Sequence, residues 1–184
     1  ILSGLVGSEM CIRDRGIAGG FLMSNSTDAT GYDGGGVSAF NSNGWTMGAS
    51  NGLNESGKTF VAWQWNAGNG TNSTNTSGSI TSTVSVNATA GFSIVTYTGT
   101  GSNATVGHGL GVAPSMYIVK RRTGGIGNWA VWHTGLSNTT TSYILLDSTA
   151  AQSTSTSLWG STAATSSTIG IGLSLIHISE PTRP

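Results

Sequence analysis

The sequence has little charge, almost no proline and a single cysteine. Its 184 residues include 7 basic and 7 acidic side chains, 3 Pro and only Cys11. One cysteine cannot form an intrachain disulfide, a net charge of zero argues against a nucleic-acid binder, and no apolar run reaches the roughly 18 residues of a membrane-spanning helix. We therefore expect no disulfides, no nucleic-acid partner and no membrane insertion.

Small polar residues and glycine are abundant instead. The chain has 27 Ser, 26 Thr, 13 Asn and 29 Gly, about half of all its residues. These types favour turns and helix caps over helix interiors. Disordered chains are poor in aromatic residues, whereas 6 Trp, 4 Tyr and 4 Phe can anchor a core here. The composition predicts a folded, β-rich domain of extracellular type.

The two ends of the chain are related through their coding DNA. Residues 5–14, LVGSEMCIRD, can be encoded by DNA whose opposite strand translates as LSLIHISEPT, the sequence that begins at residue 173. The string resembles a transposase-type sequencing adapter, and we interpret residues 1–15 and 173–184 as translated adapter. A native inverted repeat is the alternative. On this interpretation Cys11 is not native, and the native part is a fragment of a longer protein.

Short apolar segments alternate with turn residues along the rest of the chain, and such segments predict β-strands. The predicted strands are residues 37–40, 44–48, 59–65, 80–86, 92–98, 116–121, 128–133 and 142–147. Turn-rich connections without an amphipathic helix predict an all-β fold, an antiparallel β-sandwich. The polar stretch 69–79 predicts a flexible linker. It would join residues 16–68, the C-terminal part of a preceding β repeat, to a truncated sandwich domain at 80–172.

One segment matches a nucleotide-binding pattern letter for letter. GLNESGKT fits GxxxxGK[ST] through Gly52, Gly57, Lys58 and Thr59. A phosphate cradle needs a helix after the motif, because the amides at the helix N-terminus hold the phosphates. The residues that follow, FVAWQW, alternate with the period of a strand. We interpret the match as a turn that leads into a strand and predict no nucleotide site.

Carboxylates and histidines give little support for catalysis. The native region has one glutamate, Glu55, and no strand that projects two acids from one face, as glycoside hydrolysis requires. His108 and His133 lack zinc-ligand spacing, and we expect His108 to bond local backbone in a turn. Asp28 and Asp33 can supply oxygen ligands to calcium, with a solvated turn as the favoured alternative. We predict no catalytic residues and no cofactor.

The remaining candidates for a binding site are cations and tryptophans. A run of basic residues at 120–122 ends a predicted strand, where such charges guard a sheet edge or contact an acidic glycan or phosphate. Tryptophan ring faces suit sugar stacking, although we expect most of them in the core. The candidate glycan contacts are Trp45, Trp129, Trp132, Lys120, Arg121 and Arg122.

Several strings together resemble a known family. They are NESGKTFVAWQWNAG, GFSIVTYTGTG, VGHGLGVAPSMYIVKRR and NWAVWHTGL. They resemble tandem repeat domains in tail-fibre and virion structural proteins of marine tailed phages, most distinctively at GLGVAP (109–114), and the resemblance covers most of residues 37–172. It implies a concanavalin-A-like, lectin-type jelly roll with a role in the phage particle, and it brings no catalytic residues.

The expected function is therefore a non-enzymatic structural or adhesion module of a phage virion. Its expected partners are other virion subunits, as a homo-oligomer, with host-surface polysaccharide as a candidate ligand. The expected location is the virion, an extracellular particle. A secreted bacterial adhesin or surface-layer repeat, outside the cell or on its surface, is the alternative, and a glycan-cleaving sandwich enzyme is a third hypothesis.

Overall fold

The computed structural model describes residues 2–6, 11–12, 20–32, 37–48, 54–66 and 72–173. These residues form strands, turns, bends and irregular segments, and no α-helix occurs among them. The predicted fold class is confirmed: the chain is all-β, with several antiparallel sheets that are compatible with a β-sandwich. The finer comparison with a concanavalin-A-like jelly roll stays a prediction.

The strands are short, as expected for a chain with frequent glycine and asparagine turns. They are β1 (Leu2–Val6), β2 (Cys11–Ile12), β3 (Gly20–Met23), β4 (Gly31–Tyr32), β5 (Val37–Asn41), β6 (Gly44–Met47), β7 (Ala62–Asn66), β8 (Ser73–Asn75), β9 (Ser82–Asn87), β10 (Phe92–Tyr97), β11 (Ala104–Gly107), β12 (Met116–Val119), β13 (Ala130–His133), β14 (Ser142–Leu145), β15 (Ser153–Thr154) and β16 (Thr168–Ile171).

Six small sheets are present in the described part of the chain, in the orders β1-β7, β2-β3-β4, β5-β6, β10-β9-β8, β11-β16 and β12-β13-β14-β15. Every pairing between these strands is antiparallel. A single parallel bridge, between Ile80 and Val106, joins the approach to β9 with β11. Successive side chains of a strand point to opposite faces, so each sheet has one face available for the core.

The hydrophobic core collects side chains from several sheets. Its buried members are Ile80, Val106, Ala130, Trp132, Leu158, Trp159, Ile169 and Ile171. Tyr117 of β12 packs against them, stacking on Trp132 with ring centroids 4.8 Å apart and meeting Trp159 edge-on at 5.1 Å. The Trp159 Nε1–H donates to the backbone carbonyl of Ser142 at 2.9 Å. The core therefore links β12, β13 and β14 to β11 and β16.

The stretch predicted as a flexible linker contains a strand. Residues 73–75 form β8, which pairs with β9 and places Ser73 opposite Val84. The Asn75 Oδ1 accepts the Ser77 N–H at 2.9 Å, a local bond that asparagine side chains often make in turns. A polar composition is thus compatible with an edge strand here, while the predicted division into a preceding repeat and a sandwich domain stays a prediction.

Candidate functional site

Lys120 directly follows β12, and its amine contacts both the loop that leads to β13 and the connection between β3 and β4. The Nζ donates to the carbonyl oxygens of Thr27 at 2.8 Å and Gly127 at 2.5 Å, and it lies 5.9 Å from the centroid of the Trp129 ring. Two backbone acceptors and an aromatic face satisfy a cation well. The Lys120 amine is therefore held by the chain's own backbone, and its role as a glycan contact stays a prediction.

Burial also changes the acid–base behaviour of this amine. Partial desolvation lowers the pKa of Lys120 below its usual value, and the negative charges of Asp147 and Asp28 oppose part of that decrease. Among the described residues, the hydrogen-bond partners of Nζ are the Thr27 and Gly127 carbonyls and not either carboxylate. The electrostatic environment is that of a structural lysine with backbone partners.

Trp129 is almost completely enclosed. Only 1% of it is exposed, and its Nε1–H donates to the carbonyls of Met23 at 2.8 Å and Ser26 at 3.2 Å. Its backbone N–H donates to Asp147 Oδ1 at 3.0 Å, while Asn128 Nδ2 donates to Asp147 Oδ2 at 3.1 Å. A buried ring has no free face for a sugar, so the prediction of Trp129 as a glycan contact is wrong.

Trp132 is buried for a related reason. It is 3% exposed, stacks on Tyr117 and donates its Nε1–H to the Thr139 carbonyl at 2.6 Å. Its position on β13 directs the ring to the core face of the sheet, opposite Tyr117 of β12. The prediction of Trp132 as a glycan contact is wrong as well.

The two arginines after Lys120 differ from each other. The Arg121 Nε donates to the Thr123 carbonyl at 3.0 Å and its Nη2 to the Gly124 carbonyl, so the loop curls around the guanidinium. Gly124 has a φ of 80°, which glycine adopts without strain. Arg121 thus binds its own loop, and its role as a glycan contact stays a prediction. Arg122 is exposed, its backbone carbonyl accepts the Thr30 N–H at 2.9 Å, and its glycan role stays a prediction.

Trp45 lies on the β5-β6 hairpin, opposite Phe40 and partly exposed. This hairpin is a different sheet from the one that carries Trp129 and Trp132. The structure therefore does not gather the predicted tryptophans into one site, and the glycan role of Trp45 stays a prediction.

The predicted calcium ligands are only partly described. Asp28 is exposed, and its Oδ2 accepts the Ser26 hydroxyl at 2.6 Å while the Ser26 Oγ accepts the Asp28 N–H at 3.1 Å. Asp33 lies outside the described residues. In the described ranges, no three His, Cys, Asp or Glu residues are grouped as metal ligands. The calcium site stays a prediction.

The segment that matches a nucleotide-binding motif forms a turn. Gly52 lies outside the described residues, and Thr59 lies in the connection before β7. The Lys58 N–H donates to the Glu55 carbonyl at 3.3 Å, and Gly57 has a φ of 77°. Over residues 54–66 the described backbone is a turn followed by a strand, the arrangement that we expect for a coincidental match.

His108 is a buried structural residue. The Leu110 N–H donates to its Nδ1 at 3.2 Å, so the proton lies on Nε2, which donates to the Thr165 carbonyl at 3.2 Å. Its own carbonyl accepts the Ser93 hydroxyl at 2.6 Å. The expected bond to local backbone is confirmed, and the ring also fixes the loop at Thr165, which the sequence spacing does not reveal.

One exposed aromatic pair differs from the predicted sites. Trp65 of β7 is 38% exposed and stacks on Phe92 of β10, with ring centroids 6.0 Å apart and planes inclined by 10°. The alternation of β7 favours a core position for Trp65. The contact joins residues far apart in the sequence, so no local pattern predicts it. The pair leaves part of an indole ring in contact with solvent.

These features define a class of protein, an all-β module. Its buried indole N–H groups and several of its charged side chains form hydrogen bonds with its own backbone. The chain belongs to the family described as Domain of unknown function (DUF7483), whose model matches residues 13–180. No curated protein and no solved structure matches the chain. Among the described residues, no helix is long and apolar enough to cross a membrane.

Proposed function

We propose that this domain is a non-enzymatic structural module of a phage virion, in a tail fibre or related tail protein. The observation that carries the proposal is the set of hydrogen-bond partners of the polar side chains. Ionisable side chains that sequence patterns single out for chemistry instead bond to backbone atoms of the same chain. They are Lys120, Arg121, His108 and His133.

This use of polar groups differs from what catalysis needs. Catalytic acids, bases and nucleophiles must reach a substrate, and they lie in clefts with other reactive groups. Here the Asp147 carboxylate accepts the Trp129 N–H, and the His133 Nδ1 accepts the Gly135 N–H at 2.9 Å. Such bonds hold loops in place. These bonds best suit a rigid module that connects or spaces other parts of a particle.

The assignment to a virion rests on the resemblance of the sequence to phage tail repeats. The proposed partners are other virion subunits, and the proposed location is the extracellular particle. A secreted adhesin or surface-layer repeat has similar requirements, so the genes beside the parent reading frame are the test. Terminase, portal or baseplate genes would support the virion, whereas a secretion signal with a wall anchor would contradict it.

The non-enzymatic role has a direct biochemical test. The full chain is incubated with a panel of polysaccharides, and the release of reducing ends is measured. We expect no turnover above a heat-denatured control. Turnover that the substitution Glu55→Gln abolishes would contradict the proposal, because Glu55 is the glutamate of the native region.

A second candidate role, glycan binding, is favoured by the exposed stack of Trp65 on Phe92. Sugars stack their C–H faces on indole rings, and such rings are large contact surfaces with few rotatable bonds. The test is a glycan array with the wild-type chain and Trp65→Ala. Phe60→Ala is the matched control, because Phe60 is similarly exposed at 42%. Equal loss of signal in both variants, or no signal for the wild-type chain, would remove this role.

A further inference from the structure

Strand β12 lies at the edge of its sheet. In the part of the chain that the structure describes, β13 is the only strand beside it. Tyr117 and Val119 pack against the core, so Met116 and Ile118 point to the opposite face, where they are 55% and 39% exposed. An exposed apolar edge strand is a template for pairing with another chain.

The hydrogen-bond phase of β12 shows which of its backbone groups face outward. Opposite residues of an antiparallel pair alternate between those that exchange N–H···O bonds and those whose amides point away. The Thr134 N–H donates to the Ser115 carbonyl at 3.0 Å, so Ser115 is bonded to the neighbouring strand and Tyr117 is the next such residue. The N–H and C=O groups of Met116 and Ile118 therefore point to the open edge.

Two of the three cations that follow β12, Lys120 and Arg121, are bonded to backbone carbonyls of the chain. Backbone carbonyls of Thr27 and Gly127 hold the Lys120 amine, and the loop after Arg121 holds its guanidinium. The strand itself, MYIV, has no charge. Two copies of β12 can therefore approach with little repulsion between like charges, which a free lysine at the edge would supply.

We propose that β12 pairs antiparallel with β12 of a second copy of this chain, about a two-fold axis at Tyr117. In this register Met116 lies opposite Ile118 of the partner subunit, and both side chains fall on the same face. The outward N–H and C=O groups of the two residues are then also in phase to exchange hydrogen bonds. The β12 strand is therefore complementary to β12 of a second copy in its backbone hydrogen bonds, its apolar side chains and its lack of charge.

A second copy fits this edge better than an unrelated strand. Two-fold pairing uses the same edge on both copies, so it closes at a dimer and leaves no edge of this sheet open at β12. The exposed apolar surface is confined to the edge strand itself, because Val131, the neighbour of Ile118 on β13, is only 4% exposed. This inference deepens the proposed assembly role and rests on it for its biological setting.

The test is the mass of the full chain as a function of concentration, measured by sedimentation and light scattering. Strand-edge interfaces are small, so a weak dimer is expected. We expect the mass to double as concentration rises, with slower hydrogen exchange of the Met116 and Ile118 amides in the dimer. Met116→Lys should weaken dimerisation by about tenfold or more, because it places like charges at the paired edge.

Two further variants serve as a matched control and as a direct test of the backbone pairing. Ile126→Lys is the matched control, because Ile126 is similarly exposed, at 54%, and lies in a loop outside β12. Ile118→Pro removes an outward N–H without removing a bond to β13, and edge strands tolerate proline at such positions. Circular dichroism confirms that each variant is folded. Ile118→Pro should abolish the dimer, and Ile126→Lys should leave it unchanged.

Three results would overturn the inference. They are a monomer at every concentration, equal weakening by Met116→Lys and Ile126→Lys, and an open-ended polymer in place of a dimer. A folded chain that remains monomeric would leave the non-enzymatic role intact. Polysaccharide turnover would contradict that role without affecting the dimer, so the two failures are distinguishable.

Discussion

At the scale of single residues, two buried tyrosines carry a clear electrostatic consequence. Burial raises the pKa of Tyr97 to about 12. Burial also raises the pKa of Tyr117, and the neighbouring Tyr97 contributes to that increase. The Tyr117 hydroxyl has no hydrogen-bond partner among the described residues. Ionised tyrosine is therefore disfavoured in the folded state of this protein.

We predict that the protein loses stability in alkaline solution. An unfolded tyrosine ionises near its ordinary pKa of 10.0, whereas Tyr97 keeps its proton to about 12 when folded. Between these values the unfolded chain binds fewer protons, so the free energy of unfolding falls as pH rises. For Tyr97 alone the loss is about 2 kcal/mol at the upper end. Urea denaturation across this pH range measures it.

Phenylalanine variants are the control for this prediction. Tyr97→Phe should flatten the fall in stability above pH 10.0. Tyr117→Phe should do the same and cost little at neutral pH, because the hydroxyl that it removes has no partner. An alkaline fall in stability that is as steep in both variants as in the wild-type chain would contradict the assignment.

Glycine 170 gives a second residue-scale prediction. It lies within β16, where a Cβ atom would overlap the backbone carbonyl oxygen of Trp159. Backbone cannot move aside cheaply in a packed core, so Gly170→Ala should lower the free energy of unfolding by about 3 kcal/mol. Gly44→Ala is the control, because nothing lies within 4 Å of its Cβ position, and we expect a change of about 0.5 kcal/mol or less. Equal effects on the denaturation midpoint would contradict the packing at Gly170.

At the scale of elements, the connection between β3 and β4 is fixed against the loop between β12 and β13. The Gly127 N–H donates to the Thr27 carbonyl at 2.7 Å, the Thr30 N–H donates to the Arg122 carbonyl, and Lys120 Nζ also binds Thr27. These bonds are not part of a regular ladder. They hold two irregular segments together at the end of the β12-β13 pair.

We predict that Lys120→Met loosens this connection. Methionine keeps much of the apolar stem but removes the amine, so the Gly127 carbonyl loses its donor. We expect a loss of about 1 kcal/mol in stability and faster hydrogen exchange across residues 24–30. Lys58→Met is the control, because Lys58 is exposed. Unchanged exchange in the Lys120 variant would show that the amine does not hold the segment.

Strands with apolar alternation could be predicted from the sequence, and strands made of small polar residues could not. FSIVTY and MYIV have clear patterns and form β10 and β12. β8 is STN and β11 is ATVG, which carry no such pattern and are strands because of their tertiary partners β9 and β16.

The candidate site shows the same limit. Residue type alone makes tryptophans and cations candidate glycan contacts, although most of the tryptophans are expected in the core. Burial of Trp129 and one of the two carbonyl partners of Lys120 come from a segment about 100 positions away in the chain, at Met23 and Thr27. Contacts of this kind leave no local signal. Only the turn role of His108, which bonds to Leu110 two residues on, could be predicted from its neighbours.

At the scale of the whole molecule, the two predicted pieces of the chain, residues 16–68 and 80–172, share contacts. Trp129 donates to the Met23 carbonyl, Lys120 to that of Thr27, and Trp65 stacks on Phe92. The family model also spans both pieces, over residues 13–180. Shared burial of this kind couples the stabilities of two segments. We therefore expect residues 20–66 and 80–172 to unfold together.

The substitution Trp129→Phe tests this coupling. It keeps an aromatic ring in the buried position but removes the Nε1–H, so the Met23 carbonyl keeps only the Ser26 N–H at 3.3 Å and the Ser26 carbonyl loses the indole donor. We expect a single unfolding transition whose free energy is lower by about 1–2 kcal/mol, because a buried hydrogen bond between the two segments is lost. Calorimetry, tryptophan fluorescence and far-ultraviolet circular dichroism should report the same midpoint. Trp45→Phe is the control, since Trp45 is partly exposed on a separate hairpin. Two transitions, with only one of them moved by Trp129→Phe, would mean that the pieces fold independently and that the predicted division into repeats is also a division in stability.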